Sequence, residues 1–176
     1  ADEQEGNIYS RFTNPNCSEL EQKMAALEGV DDALSTSSGM AAIFASMMGL
    51  LRSGDHLLAT KAIFGATFTV ITQWLPRWGI TCDWLDTDTA NWQEHVRPNT
   101  KMLFIETPSN PGLDIIDLDA AGQFAKRNNL IFNVDNCFAT PYLQQPARFG
   151  ADLITHSSTK FLDGQGRVLG GIVAGR

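Results

Sequence analysis

Met102–Asp135, MLFIETPSNPGLDIIDLDAAGQFAKRNNLIFNVD, decides the fold. Met102–Glu106 is an apolar run that ends in a carboxylate and reads as a buried strand. In Thr107-Pro108-Ser109-Asn110-Pro111 two prolines force a rigid turn at its carboxyl end. Asp117 or Asp119 caps a helix through Asn128, and Leu130–Val134 is the next buried strand, ending in Asp135-Asn136. Two strands without polar alternation, joined through a helix, call for parallel pairing in a sheet covered on both faces.

The same order continues outward. Upstream, Asn16 or Ser18 can cap a helix reaching Gly29 with Leu20, Met24 and Leu27 as its buried stripe, and Ala33–Ser35 is a short strand. Thr36-Ser37-Ser38-Gly39-Met40 leads into AAIFASMMGLLRSG, a largely buried helix ending at Gly54. His56–Thr60 reads as a strand, Phe64–Trp78 as a helix kinked or ended near Pro76, Ile80–Leu85 as a strand and Trp92–Val96 as a short helical piece. Downstream, Asp152–Thr155 is a strand followed by hydroxyls, Lys160, the glycine turn Gly164–Gly166 and a second apolar run. The expected fold class is α/β, a mostly parallel sheet with helices on both faces and its crevice at the carboxyl ends of the strands. No repeat or linker interrupts it.

At 176 residues and 43% hydrophobic, the chain can bury one sizeable core. A net charge of −7 argues against a nucleic-acid partner. No run of eighteen apolar residues is present and the start, ADEQEGN, is polar, so neither a membrane span nor a signal peptide is expected. Cys17, Cys82 and Cys137 show no CxxC spacing, and His56, His95 and His156 show no ligand pattern. Reduced thiols in a cytoplasmic protein and no metal site are the expectation. The chain begins without methionine and ends on VAGR directly after an apolar run, which suggests a fragment.

Under this topology several chemistry-bearing residues meet at one sheet edge. Ser38, Gly39 and Met40 open a helix whose first N–H groups can hold an anion. Asn110 follows one strand, Asp135 another, and Ser157, Thr159 and Lys160 a third. Phe64, just after a strand end, can supply an aromatic plate. An anion cradle, a strand-end carboxylate and an amine are what pyridoxal 5′-phosphate asks for: its phosphate, its ring nitrogen and its aldehyde respectively. A helix cap at Ser38, a turn carboxylate at Asp135 and a surface amine at Lys160 are the plain readings of the same residues taken singly.

Five segments in order carry a resemblance: YSRFTNP at 9–15, SSGMAAI at 37–43, ETPSNP at 106–111, VDNCFATP at 134–141 and HSSTKFLDGQGRVLGG at 156–171. From Asn7 onward the chain resembles the Cys/Met-metabolism family of pyridoxal-phosphate enzymes. The resemblance implies the aspartate-aminotransferase-like large domain of PLP-dependent transferases, with a seven-stranded type of sheet. Residues 16–176 would be that domain, residues 1–15 an arm contributing to a neighbouring subunit's site, and the C-terminal small domain, which carries the substrate-carboxylate arginine, would lie outside the chain. Lys160 would hold the cofactor as a Schiff base and then move protons between substrate carbons, and Asp135 would hold the pyridinium nitrogen. Gly39 and Met40 amides after Ser38, with Ser157 and Thr159 hydroxyls, would bind the phosphate. Tyr9 and Arg11 would reach the phosphate of a neighbouring subunit in a homodimer or homotetramer, and Asn110 would lie near the ring hydroxyl. Phe64 stands where many members carry tyrosine; stacking survives, a phenol's proton transfer does not.

DGQGR at 163–167 looks most like the branch that condenses O-succinylhomoserine with sulfide to give homocysteine and succinate. The same family includes cystathionine γ-synthases, O-acetylhomoserine sulfhydrylases and methionine γ-lyases. An inert cofactor-binding core is a further reading of a chain without its small domain. A nucleotide-binding module would need a GxGxxG or Walker pattern, and neither is present.

Overall fold

The computed structural model describes Gly6, Tyr9, Ser10 and residues 12–176. In chain order its elements are α1 (Pro15–Glu28), β1 (Asp32–Thr36), α2 (Gly39–Met48), β2 (His56–Thr60), α3 (Gly65–Thr69), β3 (Thr81–Leu85), β4 (Thr100–Glu106), α4 (Leu118–Arg127), β5 (Ile131–Asp135), α5 (Thr140–Leu143), β6 (Leu153–Ser157) and β7 (Gly171–Gly175). α3 runs on through a π turn and a 3-10 turn to Trp78, the latter carrying Pro76 in its first turn, where that ring needs no N–H partner. Asn14 caps α1 ahead of Pro15, which replaces the expected cap at Asn16 or Ser18. Asp117 accepts from Asp119 and Ala120 N–H and starts α4.

The strands form one seven-stranded sheet in the order β1-β7-β6-β5-β4-β2-β3. β2 to β6 pair in parallel, while β7 runs antiparallel to both β1 and β6. The mostly parallel α/β architecture is therefore as expected. The link from β6 to β7, 158–170, spends its first part on the π turn at Ser158–Leu162 and returns through Gly164–Gly170 without a crossover helix, so β7 runs antiparallel.

Alternation along each strand divides the core between two faces. Leu103 and Ile105 of β4 and Phe132 and Val134 of β5 meet α4 through Ala121 and Phe124, and Met24 of α1 closes the same face. Met102 and Phe104 of β4 and Leu57 and Ala59 of β2 meet Ile43 and Met47 of α2 on the other. Each fully buried side chain of this size contributes about 1.5–3 kcal/mol by leaving water. The stripe expected on α1 is corrected here: Leu20 and Leu27 are 40% and 53% exposed, and the helix packs instead through Met24, Ala25 and Glu28. α2 also stops earlier than expected, at Met48 with Gly49 as its cap.

These two faces decide which strand-end residues can share a site. Asn133 donates to Ser46 of α2 at 2.8 Å, so Asp135, two residues on, also faces α2. Glu106 follows Met102 and Phe104 onto that face. His156, one residue out of step with Ser157, turns to the opposite one and meets Glu28.

Candidate active site

At the carboxyl edge a cavity of about 180 Å³ opens between the start of α2, Phe64 and the turn after β6. Ser38, Gly39, Met40, Phe64, Asn110, Asp135, Ser157, Thr159 and Lys160 all line it. Tyr9 does not: it is 55% exposed and packs its ring against Phe12 at 5.8 Å. Arg11 lies outside the described residues.

One end of the cavity gathers backbone N–H groups and hydroxyls. Ser38 caps α2 by accepting from Ala41 N–H at 3.1 Å, so the earlier Gly39 and Met40 N–H groups have no acceptor inside the helix. Ser157 stands directly against Gly39: a Cβ at position 39 would lie 2.5 Å from the Ser157 Cβ. Only glycine lets the helix start come this close to β6. Thr159 adds a second hydroxyl, itself accepting from Gly170 N–H at 3.3 Å.

The other end carries two carboxyls and an amine. Asp135 is buried, and its Oδ1 accepts from Cys137 N–H at 3.0 Å, while Oδ2 has no partner among the described residues. Burial pushes its pKa up to about 6, against the pull of that hydrogen bond and of His156 behind it. Glu106, its register partner on β4, accepts from Phe64 N–H at 2.7 Å through Oε2. Burial, and then the charge of Asp135, raise Glu106 to about 8. Lys160 is exposed and sits in a non-helical kink at φ −93°, ψ −122°; its carbonyl accepts from Gly164 N–H at 2.8 Å, while its Nζ makes no ion pair or hydrogen bond among the described residues. The Cys137 thiol is pushed by burial to about 12 and is no nucleophile.

The sequence reading did not single out Ile43, Glu106, Cys137, Phe138 or Leu169 as lining residues. Glu106 had a signal, because counting in twos from Met102 and Phe104 puts it on the α2 face. Behind the sheet, a buried polar network also escaped notice. Glu28 Oε1 lies 2.6 Å from His156 Nε2 and accepts from Asn136 Nδ2 at 2.9 Å, and Gln144 Nε2 donates to Asn136 Oδ1 and to the Thr107 carbonyl.

The model of the Cys/Met-metabolism PLP-dependent enzymes matches residues 1–176. The chain belongs to this family. It is 47% identical over its whole length to an O-succinylhomoserine sulfhydrylase of Pseudomonas aeruginosa, covering 44% of that protein. It is 42% identical over 97% of its length to an L-methionine gamma-lyase of Fusobacterium nucleatum subsp. polymorphum, again covering 44%. Among solved structures, a putative O-acetylhomoserine (thiol)-lyase from Campylobacter jejuni, described with an N′-pyridoxyl-lysine-5′-monophosphate, superposes with a TM-score of 0.93 at 38% identity, over 99% of this chain and 43% of that one. Cystathionine gamma-lyase from Lactobacillus plantarum, in complex with L-serine, gives 0.95 at 35% identity, over 100% and 46%. The chain thus spans less than half the length of these relatives.

The family's cofactor is pyridoxal phosphate, and the cavity's donor set fits it. The Gly39 and Met40 N–H groups, without an acceptor inside the helix, match a phosphate, and Asp135 Oδ2 and Lys160 Nζ, each without a hydrogen-bond partner among the described residues, match a protonated ring nitrogen and an aldehyde. Among the described residues no helix is long and apolar enough to cross a membrane.

Proposed function

We propose that the protein containing this chain is a pyridoxal-phosphate-dependent enzyme of γ-replacement, converting O-succinylhomoserine and sulfide to homocysteine and succinate. The observation that carries the reading is one cavity holding an amine without a partner and a buried carboxylate with one free oxygen, beside a helix start shaped for an anion. The 47% identity to a sulfhydrylase favours this substrate pair over the lyase chemistry of the other relatives.

The bound cofactor supplies an electron sink that makes protons on the substrate's α and β carbons removable. The chain's own residues do the rest. Gly39 and Met40 amides with the Ser157 and Thr159 hydroxyls hold the phosphate, and Asp135 Oδ2 keeps a proton on the ring nitrogen. Phe64 covers one ring face and Asn110 orients the ring's oxygen substituent. Lys160 Nζ would hold the cofactor's aldehyde and, once free, would move protons between adjacent substrate carbons as succinate leaves and sulfide adds. With no partner for Nζ among the described residues, the amine is free to swing.

Residues 16–176 act in this reading as the cofactor-binding large domain, and residues 1–15 as an arm that brings Tyr9 and Arg11 to a neighbouring subunit's phosphate in a cytoplasmic homo-oligomer. Adding pyridoxal 5′-phosphate should produce a visible absorption band that Lys160→Ala lacks, and the protein should release homocysteine from O-succinylhomoserine and sulfide. A band without homocysteine would refute the substrate pair; no band would refute the whole reading.

A further inference from the structure

Glu106 has no part in the chemistry just described, yet it is 4% exposed and lines the cavity. Its neighbours there are specific. Asp135 stands beside it in register on β5, Phe64 N–H points at it from the segment before α3, and the Asn110 N–H reaches it from the turn after β4. Cys137, after β5, and Lys160, after β6, are the remaining titratable groups on the cavity wall, and α2 contributes only apolar side chains and its cap.

We propose that Glu106 is a positioning residue for the cofactor: it anchors the Phe64 backbone so that the aromatic plate is fixed at the cavity wall, and it carries a proton so that the one negative charge of the Glu106–Asp135 pair rests on Asp135. The inference rests on the cavity being the cofactor site. Two carboxyls on adjacent strands, both withdrawn from water, cannot both ionise cheaply. The proton goes to Glu106: burial, and then the charge of Asp135 beside it, outweigh the Phe64 and Asn110 N–H groups that favour its anion, and raise it to about 8 against about 6 for Asp135. A protonated Glu106 still serves Phe64, because its carbonyl oxygen accepts the N–H as a carboxylate oxygen would. The arrangement leaves Asp135 as the charged group facing a pyridinium, and it fixes the ring's stacking surface from the same residue.

The test uses two readouts. Infrared difference spectra of the cofactor-free protein, wild type against Glu106→Gln, should show the carbonyl band of a protonated carboxylic acid at pH 7, fading above a pH of about 8. Titration with pyridoxal 5′-phosphate should give Glu106→Gln an affinity within about twofold of wild type, since its amide carbonyl still accepts, and Glu106→Leu one about tenfold weaker, with the Phe64 N–H left unpaired. No band at pH 7 overturns the proposal, as does Glu106→Leu binding as tightly as wild type. Should Glu106→Leu not fold, the band and the Gln variant decide, and a Gln variant weakened tenfold overturns it. Wild-type protein that binds the cofactor but lacks the band removes this proposal alone; protein with the band that binds no cofactor removes the cofactor reading and this proposal with it.

Discussion

Replacing Gly39 by alanine separates the cost of packing from the cost of ligand binding at the start of α2. The new Cβ would stand 2.5 Å from the Ser157 Cβ and 2.9 Å from its Cα, so yielding means moving either the β6 backbone or the helix start. Restoring an ordinary carbon–carbon contact requires a retreat of about 1 Å. Overpacking of this kind costs about 1–3 kcal/mol, against which alanine returns up to about 1 kcal/mol of helix preference. The net is a loss of about 1–2 kcal/mol, which lowers the melting temperature by about 3–6 °C in a chain of this size. The same retreat carries the Gly39 and Met40 N–H groups away from a phosphate, and a hydrogen bond to a charged group is worth about 1.5–3 kcal/mol. Pyridoxal 5′-phosphate should therefore bind about 10- to 100-fold more weakly, measured by absorbance titration beside a thermal melt. Gly65→Ala is the matched control, because a Cβ at the start of α3 meets nothing within 4 Å, and its stability should equal that of wild type or exceed it by up to about 1 kcal/mol. Gly39→Ala that melts lower yet keeps its affinity would refute the placement of the phosphate at this helix start.

Charge at the cavity makes the cofactor-free protein pH-sensitive. Asp135 at about 6 and Glu106 at about 8 both lie above their ordinary values, so the folded state holds more protons than the unfolded one, and these two groups lower stability as pH rises from about 4 to about 8. Thermal melts across that range should show Glu106→Gln losing less stability between pH 6 and 8 than wild type; parallel curves would contradict the charge assignment. Asp135→Asn should make the cofactor-free protein about 1–3 kcal/mol more stable at pH 7 by removing a buried charge, while weakening cofactor binding at least tenfold. On the rear face, His156→Ala leaves the buried Glu28 with the Asn136 amide but without its imidazole and should cost about 3 kcal/mol in denaturant unfolding, although His156 does not line the cavity.

The parallel sheet was legible because Met102–Glu106 and Leu130–Val134 are apolar on both faces and flank a capped helix, a pattern that few arrangements other than a covered βαβ unit satisfy. Nine of the eleven residues singled out for the cofactor share one cavity for the same reason: each lies at or after a strand's carboxyl end, and strands running in one direction bring those ends to one edge. What was not legible depends on distance in the chain. Glu28 reads as an exposed helix carboxylate until its partner 128 residues away is known. Leu20 and Leu27 fit a helical stripe, but contact with the sheet falls on Met24 and Ala25, so spacing alone chose the wrong neighbours. The direction of β7 is equally hidden, since GIVAG reads the same to a sheet from either end.

The rear network bears on why the front of the sheet can hold its charges still. Asn136 N–H donates to the Thr155 carbonyl, and its side chain links Glu28 of α1 with Gln144 just past α5, which in turn donates to the Thr107 carbonyl at the end of β4. The ends of β4, β5 and β6 are thereby tied to one another one residue beyond Glu106 and Asp135. Strand alternation sends Asp135 forward to the cavity and Asn136 backward into this network, so the residue that fixes the strand end is the immediate neighbour of the one that meets the ligand. A one-residue slip of β5 would bring Asn136 to the front and Asp135 against Glu28, burying two carboxylates together. The register that builds the cavity is therefore also the one that keeps like charges apart behind it, and the sheet cannot relax one without exposing the other.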